Sequence, residues 1–455
     1  MIIRFLILLV LATGAFSSTH PAGLPEDEFA RRRAIFMDEL RDLDACAILH
    51  SAPSLERNAG IDYPYRQDSD LIYMTGWEGV RCILLLLPRD KDTNEPEVIL
   101  FVDPRDPKRE VWTGPQPGLK EASLLPEIDR AMNYDDFFSE LPHLSKGYDR
   151  WVVSFGNDKG FESALLESRS NIRPTIPILQ DAPALIRYQR LIKSEWEIAS
   201  LERAVKITGA SLKDAWKRIP SLHFEYEAQA EIEYGFMKRG AKRLGFPSIV
   251  GAGKNATYLH YEANDDSLRP GELLLLDVGA EWNYYSADIS RTIPINGTFS
   301  PEQKAIYEIV LNAQAAAIET IKPGVSWRQP HETAVRSITE GLLDLGLLEG
   351  EIDSLIANKT YRKFFMHGTS HWLGLDTHDA GGYTDDEKNV HKLKAGMVLT
   401  VEPGIYISEA ANIDPKWWNI GVRIEDDILV TRKGFRILSR DIPKTITEIE
   451  AIMQP

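Results

Sequence analysis

Four carboxylates in two matching contexts are the part of this chain best suited to chemistry. Asp277 closes the apolar run that starts at Leu268-Arg-Pro-Gly-Glu, and Asp288 follows a polar turn around Asn283. The pattern reads as a β-hairpin that turns both acids to one face. Far downstream the chain nearly repeats itself without a gap. Leu393-Lys-Ala-Gly-Met-Val-Leu-Thr-Val-Glu402-Pro-Gly404 lies on Leu268 to Gly279, which puts Gly396 on Gly271, Gly404 on Gly279 and Glu402 on Asp277. A second strand, Gly421 to Val430, follows there too, and period-2 alternation sends Arg423 and Glu425 to one face while Val422 and Ile424 take the other. A single Asp after a strand is ordinarily a loop or capping residue. Four acids in duplicated contexts are different, because unpaired carboxylates beside apolar strands carry a desolvation penalty of several kcal/mol. A pseudo-symmetric pair of hairpins, each offering two acids to a shared centre, is a metal site.

Histidines point the same way. His367, His371 and His378 are three of the ten in the chain, and they stand among glycines that let the backbone approach a ligand. His367 and His371 have helical spacing but no amphipathic helix to sit on. Upstream, Phe246-Pro-Ser-Ile-Val-Gly-Ala-Gly253 reads as a strand and glycine turn that delivers His260. A lone His in such a place is more often a structural hydrogen-bonder.

The elements that must position these groups follow from length and pattern. A chain of 455 residues exceeds one hydrophobic core, so two domains are expected. In the first, Glu28 to Leu43 carries a helical stripe of Phe29, Ile35 or Phe36, Leu40 and Leu43. Strand-like runs follow around Ala45 to Leu49, Cys82 to Leu87, Val98 to Val102 and Trp151 to Phe155, an α/β mixture. Pro64 to Gly76 is richer in polar and aromatic residues than a core needs, and reads either as a surface loop or as a segment reaching a site or a neighbouring subunit. A boundary is expected near Asp181-Ala-Pro183. Beyond it Ser194-Glu-Trp-Glu197 forms a capping box, and Ile198, Leu201, Val205 and Leu212 continue one helical face. Further helices are expected over Glu225 to Arg239, from the capping box Ser300-Pro-Glu-Gln303 to Ile321, and over Arg328 to Leu345. Helices after one hairpin, then a hairpin again, fit a two-layer α+β body.

Composition bounds the partners. Hydrophobic residues make up 43% and the net charge is −16, which disfavours nucleic acid and anionic membrane, since both need a basic face. Met1-Ile-Ile-Arg4 and the apolar Phe5 to Ala12, followed by small residues, have the form of a cleaved export signal over about residues 1–20. The run is too short to cross about 30 Å of hydrocarbon comfortably. Cys46 and Cys82 lie in apolar strand-like runs, where buried thiols are usual, although export permits a disulfide.

Taken together, Phe246-Pro-Ser-Ile-Val, Leu-His260-Tyr, Leu276-Asp277-Val-Gly, Asp288-Ile-Ser-Arg291-Thr, His367-Gly-Thr-Ser-His371-Trp-Leu-Gly-Leu-Asp-Thr-His378-Asp, Val401-Glu402-Pro-Gly-Ile-Tyr and Arg423-Ile-Glu425-Asp-Asp resemble the Xaa-Pro aminopeptidases (aminopeptidase P) of the pita-bread metallopeptidase superfamily. Tyr65 to Gly76 resembles that family's N-terminal domain. The resemblance implies an α+β chain, with a creatinase-like α/β domain over 24–183 and a pseudo-symmetric pita-bread catalytic domain over 184–455. It makes Asp277 a terminal metal ligand, Asp288 and Glu425 bridging ligands, and His371 and Glu402 ligands of the other metal. It places His260, His367 and His378 on the substrate, with Arg423 as the active-site arginine and Glu402 as proton carrier besides ligand. Thr377 and Ser290 stand where Val or Ile and Thr respectively are expected. A carboxylate-rich set with one imidazole favours two divalent ions, Mn²⁺ first, with Co²⁺, Fe²⁺ or Zn²⁺ also allowed. The implied reaction is attack of a hydroxide shared by the metals on the carbonyl before proline, in peptides with proline second. Proline has no N–H and a fixed φ, so a site must be built for it. His378 is then placed to stabilise the oxyanion and His260 to hold the substrate beyond the cut. A dimer or tetramer is implied as well. Two alternatives stay open: a prolidase restricted to dipeptides, and a non-catalytic peptide-binding module on the same fold.

Overall fold

The structure, a computed structural model, describes residues 27–89, 95–170, 172, 177–384 and 388–454. The export signal expected over 1–20 lies outside the described residues. The chain divides into two compact units, one ending at Pro183 and the other starting at Ala184.

In the first unit, helix α1 (Glu28–Asp42) precedes strand β1 (Ala45–His50), and helix α2 (Ser69–Thr75) precedes β2 (Cys82–Leu87), β3 (Glu97–Val102), β4 (Arg130–Asn133), β5 (Arg150–Val153) and β6 (Ile178–Asp181). These strands form one mixed sheet in the order β4-β3-β2-β1-β5-β6, with β2 antiparallel to both neighbours and the other pairs parallel. Both β1 and β2 are buried along their full length, which is why they read as unbroken apolar runs. On α1 it is Phe36, with Phe29 and Leu40, that faces inward, while Ile35 is 41% exposed. Cys46 and Cys82 are free thiols at opposite ends of the β1–β2 pair, and burial pushes both well up from the ordinary thiol range.

The Pro64 to Gly76 stretch departs from expectation. It holds a buried helix, α2, capped by the Asp68 side chain accepting from Leu71 N–H and closed by Gly76 in the left-handed region. Its last carbonyls would be unsatisfied in an apolar setting. Arg32 and Arg33 of α1 supply the donors, to Tyr73 O at 3.0 Å and to Met74 O at 2.8 Å. The polar and aromatic density of this region therefore serves helix packing, with the Arg32 guanidinium 4.0 Å from the Tyr73 ring centroid.

The second unit places helices α3 (Pro183–Leu191), α4 (Glu195–Trp216), α5 (Glu225–Lys238), α6 (Pro301–Glu319) and α7 (Gln329–Asp344) against strands β7 (Ile249–Ala252), β8 (Leu273–Val278), β9 (Ile289–Pro294), β10 (Val398–Val401), β11 (Gly404–Ile407), β12 (Ile420–Arg423) and β13 (Asp426–Val430). Both expected capping boxes form, Ser194 with Glu197 and Ser300 with Gln303. The internal repeat is visible in the backbone. Strands β8 and β10 start at the aligned residues Leu273 and Val398, and the turn glycines before them, Gly271 and Gly396, have φ of 92° and 93°. That region is strained for any residue with a Cβ, so glycine is needed at both.

Alternation along β8 sends Leu274, Leu276 and Val278 into the main core with the helices, each contributing about 2 kcal/mol by burial. Leu275 packs on the other face against Ile249 and Tyr406, and Asp277 shares that face. Strand β8 pairs antiparallel with β9, Asp277 opposite Ser290, and β10 pairs with β13, Val401 opposite Asp426. One expectation is corrected here. Gly421 to Val430 is two strands: β12 pairs with β11, β13 with β10, and Ile424 and Glu425 form the break. The backbone breaks because its groups bond across to the first hairpin: Glu425 N–H donates to Ser290 O at 3.1 Å, and Arg291 donates to Glu425 O. Val422 and Ile424 nevertheless enter the core.

Candidate metal centre

The seam between the two hairpins gathers the acids. Asp288, which immediately precedes β9, Glu425 at the β12–β13 break, and His371 each offer a ligand atom, and these three atoms lie within 4.8 Å of one another. His371 Nε2 is 3.2 Å from Asp288 Oδ2 and 3.8 Å from Glu402 Oε1. His371 is held by strand-like bonds to β10: its N–H meets Thr400 Oγ1, and its C=O accepts from Thr400 N–H. Its Nδ1 lies 3.0 Å from Trp372 O, which requires the proton there and leaves the Nε2 lone pair facing the carboxylates. The hydrogen bond thus selects the tautomer a metal ligand needs.

Asp277, the fifth expected ligand, gives Oδ2 to Arg423 Nη2 at 2.7 Å, while its Oδ1 is buried without a hydrogen-bond partner. Glu425 is arranged alike: Oε2 accepts from Ser290 Oγ at 2.8 Å, and Oε1 is buried and unpartnered. Burial, then the neighbouring carboxylates, pushes Asp288 and Glu425 well above the usual carboxylate range. Burial likewise pushes Glu402 up to about 7, against the opposing pull of His371 and Arg423. Crowded, desolvated acids with orphaned oxygens fit divalent cations, which would satisfy those oxygens and offset the repulsion. The donor set, four carboxylates and one imidazole, suits hard or borderline ions.

Around this centre the other expected site residues fall in place to different degrees. Arg423 is buried and forks, with Nε on Ser290 Oγ at 2.8 Å, Nη1 on Tyr406 Oη at 3.0 Å and Nη2 on Asp277. His367 is half-buried, its Nε2 2.8 Å from Tyr406 Oη and its Nδ1 3.7 Å from Glu402 Oε2, and burial followed by Arg423 holds its pKa down to about 3. It is a neutral imidazole at any physiological pH. His378 opens to solvent with its ring 4.4 Å from that of His371, and partial burial, His371 and His260 lower its pKa. His260 is exposed and near enough to His378 to contribute to that shift.

Several residues that position the site were not singled out by the sequence. Tyr406 joins His367 to Arg423. Glu225, fully buried at the start of α5, accepts from Ala252 N–H, Asn255 Nδ2, Tyr261 Oη and Asp266 N–H, which fixes the segment carrying His260. Only contacts made after folding reveal such a role. Thr377, where an apolar residue was expected, uses its hydroxyl on Gly245 O at 3.2 Å.

This geometry, carboxylates and an imidazole at the seam of two duplicated hairpins, is that of a protein built to hold divalent metal. Residues 199–432 match metallopeptidase family M24, and residues 29–153 match the aminopeptidase P N-terminal domain. The chain belongs to metallopeptidase family M24, in its aminopeptidase P branch, with an N-terminal α/β domain preceding the pita-bread domain along the sequence. It is 39% identical to the Xaa-Pro aminopeptidase of Haemophilus influenzae, over 95% of this chain and 98% of that one. The structure of the Pseudomonas aeruginosa aminopeptidase PepP superposes with a TM-score of 0.89 at 41% identity, covering 94% of this chain and 98% of that one. A zinc-substituted Escherichia coli aminopeptidase P in complex with product gives a TM-score of 0.89 at 36% identity, with the same coverages of 94% and 98%.

Proposed function

We propose that this metallopeptidase removes the N-terminal residue from peptides with proline in second position, using two divalent ions held by Asp277, Asp288, His371, Glu402 and Glu425. The observation that carries the reading is the convergence of Asp288, His371 and Glu425 beside the orphaned oxygens of Asp277 and Glu425. Relatives named as Xaa-Pro aminopeptidases, matched over nearly the full chain, support the substrate class. Bound divalent ions supply a nucleophile from water at neutral pH and polarise the scissile carbonyl.

The chain's own residues do the rest. Glu402, whose Oε2 faces His367 Nδ1 at 3.7 Å, takes a proton and returns it to the departing imide nitrogen. His378, neutral and facing His371, donates to the developing oxyanion. His260 holds the substrate beyond the cut. His367 and Tyr406 keep Arg423 on Asp277, so that one Asp277 oxygen stays free for metal.

Mn²⁺ is the ion we propose, since an oxygen-rich set prefers it when supply permits. We also propose a dimer or tetramer, as the resemblance to the aminopeptidase P family implies. The charged start and short apolar core of residues 1–12 support export before work begins. N-terminal sequencing of the protein from its native host checks this, and an intact Met1 on cytoplasmic protein refutes it.

Peptide length separates this reading from its neighbour. An Xaa-Pro-Yaa tripeptide and an Xaa-Pro dipeptide are assayed with Mn²⁺; cleavage of the tripeptide is expected. Strict restriction to dipeptides would move the enzyme to the prolidases, and no cleavage of either by metal-loaded protein would leave a peptide-binding module.

A further inference from the structure

A second buried charge cluster lies just behind the His378 loop. Lys193 Nζ donates to Asp379 Oδ2 at 2.8 Å and to Arg190 O at 2.7 Å, and Arg190 Nη2 donates to Asp379 Oδ1 and to Asp376 Oδ2, the latter at 2.6 Å. The Asp379 and Lys193 side chains are each 1% exposed. Burial alone would raise the Asp379 pKa, but Arg190 and Lys193 hold it below its ordinary value. Three charges so deep are a poor choice for stability alone, because an apolar cluster of similar volume is often as stable or better. What the cluster does provide is position.

The loop shows what is being positioned. Asp376 and Asp379 both bind one guanidinium, that of Arg190, and His378 lies between them in sequence. Asp379 N–H bonds to Trp372 O at 3.0 Å, Gly374 N–H to Asp376 O at 3.1 Å, and Ser286 N–H reaches Gly374 O at 2.9 Å from the first hairpin. A Cβ at Gly374 would stand 2.2 Å from Asp379 Oδ2, so the loop is drawn tight over the carboxylate. Among the described residues His378 makes no side-chain hydrogen bond of its own; its ring only meets that of His371. The backbone of its loop therefore sets where the imidazole sits, and the Asp379 cluster sets that backbone.

We propose that Asp379, clamped by Arg190 and Lys193, is a positioning residue for His378, holding its imidazole against the reacting carbonyl. The inference rests on the reading of His378 as an oxyanion donor. A donor must lie within hydrogen-bond reach of the place where charge develops, and a displacement of about 1 Å can cost about 100-fold in rate. The clamp acts through the polypeptide over a single residue, which is short enough to transmit such a displacement.

A double-mutant cycle on the metal-loaded enzyme tests this. Asp379→Asn is made alone and in the His378→Ala background, and kcat, KM for an Xaa-Pro-Yaa peptide, metal content and melting are measured for each. The clamp predicts that Asp379→Asn alone lowers kcat by at least about tenfold with KM within about twofold and metal retained. In the His378→Ala background it should cost less than about twofold more, because the positioned group is already gone. An equal loss in both backgrounds, with His378→Ala itself impaired, would make Asp379 merely structural and overturn the clamp while leaving the oxyanion reading intact. A His378→Ala enzyme of normal kcat would instead sink the oxyanion reading and the clamp with it. If Asp379→Asn yields no folded protein, Arg190→Lys, which keeps the cation but shortens the side chain and loses the planar guanidinium that meets both Asp376 and Asp379, is read in the same cycle with the same two outcomes.

Discussion

Ser290 of the first hairpin donates its hydroxyl to Glu425 of the second at 2.8 Å and accepts from Arg423 Nε at the same distance. One small side chain thus orients a carboxylate of the candidate metal centre and the arginine that holds Asp277. Ser290→Ala should weaken metal binding about 10- to 100-fold, the range for removing a partner of a ligand, and Ser290→Thr should restore it. Titration of metal into stripped protein reads this directly; unchanged affinity in Ser290→Ala would mean that Glu425 is held by other means.

The raised carboxylates set a pH dependence. Glu402, at about 7, and Asp288 and Glu425, well above their usual range, bind more protons in the folded metal-free protein than in the unfolded chain. Where the native state binds more protons, stability falls as pH rises. Metal displaces those protons, so its affinity rises with pH. The increase in Tm on metal addition should therefore grow between about pH 6 and pH 8. A constant or shrinking increment across that window would contradict the raised pKa of Glu402, Asp288 and Glu425 in metal-free protein.

Much of the site could be read from the sequence, for a physical reason. Strand alternation and a gapless repeat tie Asp277 to Glu402, and register carries Asp288 and Glu425 along with them, since a one-residue slip would turn Asp277 into the apolar core and Leu276 onto the face of the acids. The break after Arg423 was not legible, because the bonds that cause it come from Ser290 and Arg291, more than a hundred residues away. Helix α2 was hidden for the same reason: its polar content looks like a loop until Arg32 and Arg33 are found on its carbonyls. Phe36 and Ile35 lie about 100° apart on a helical wheel, and burial takes Phe36, the one in line with Phe29 and Leu40. Asp379 gave no signal beyond its place after His378, its partners lying at Arg190 and Lys193.

Ligand and donor should separate by mutation within one site. Asp288→Ala removes a carboxylate from the centre of the cluster, so metal content and activity should fall together. His378→Ala should keep metal and fold yet lose roughly 10²- to 10³-fold in kcat, with a smaller change in KM. Metal loss in His378→Ala, or near-normal activity in Asp288→Ala, would reverse the two assignments.

Substrate handling makes a further distinction. Arg423→Lys keeps a positive charge but loses the fork that spans Ser290, Tyr406 and Asp277. It should lower metal affinity as well as kcat, because Asp277 is released from its fixed orientation. A variant with full metal content and normal turnover would show that the fork is dispensable.

On the function proposed above, two duplicated hairpins, each contributing two carboxylates, together bind two ions that the peptidase activity needs. Stripped protein is titrated with Mn²⁺ while bound metal per chain and hydrolysis of an Xaa-Pro-Yaa peptide are measured in the same samples. Activity should be absent without metal and reach its plateau as two ions bind per chain; full activity in stripped protein, or saturation with no second ion taken up at any concentration, would contradict the account.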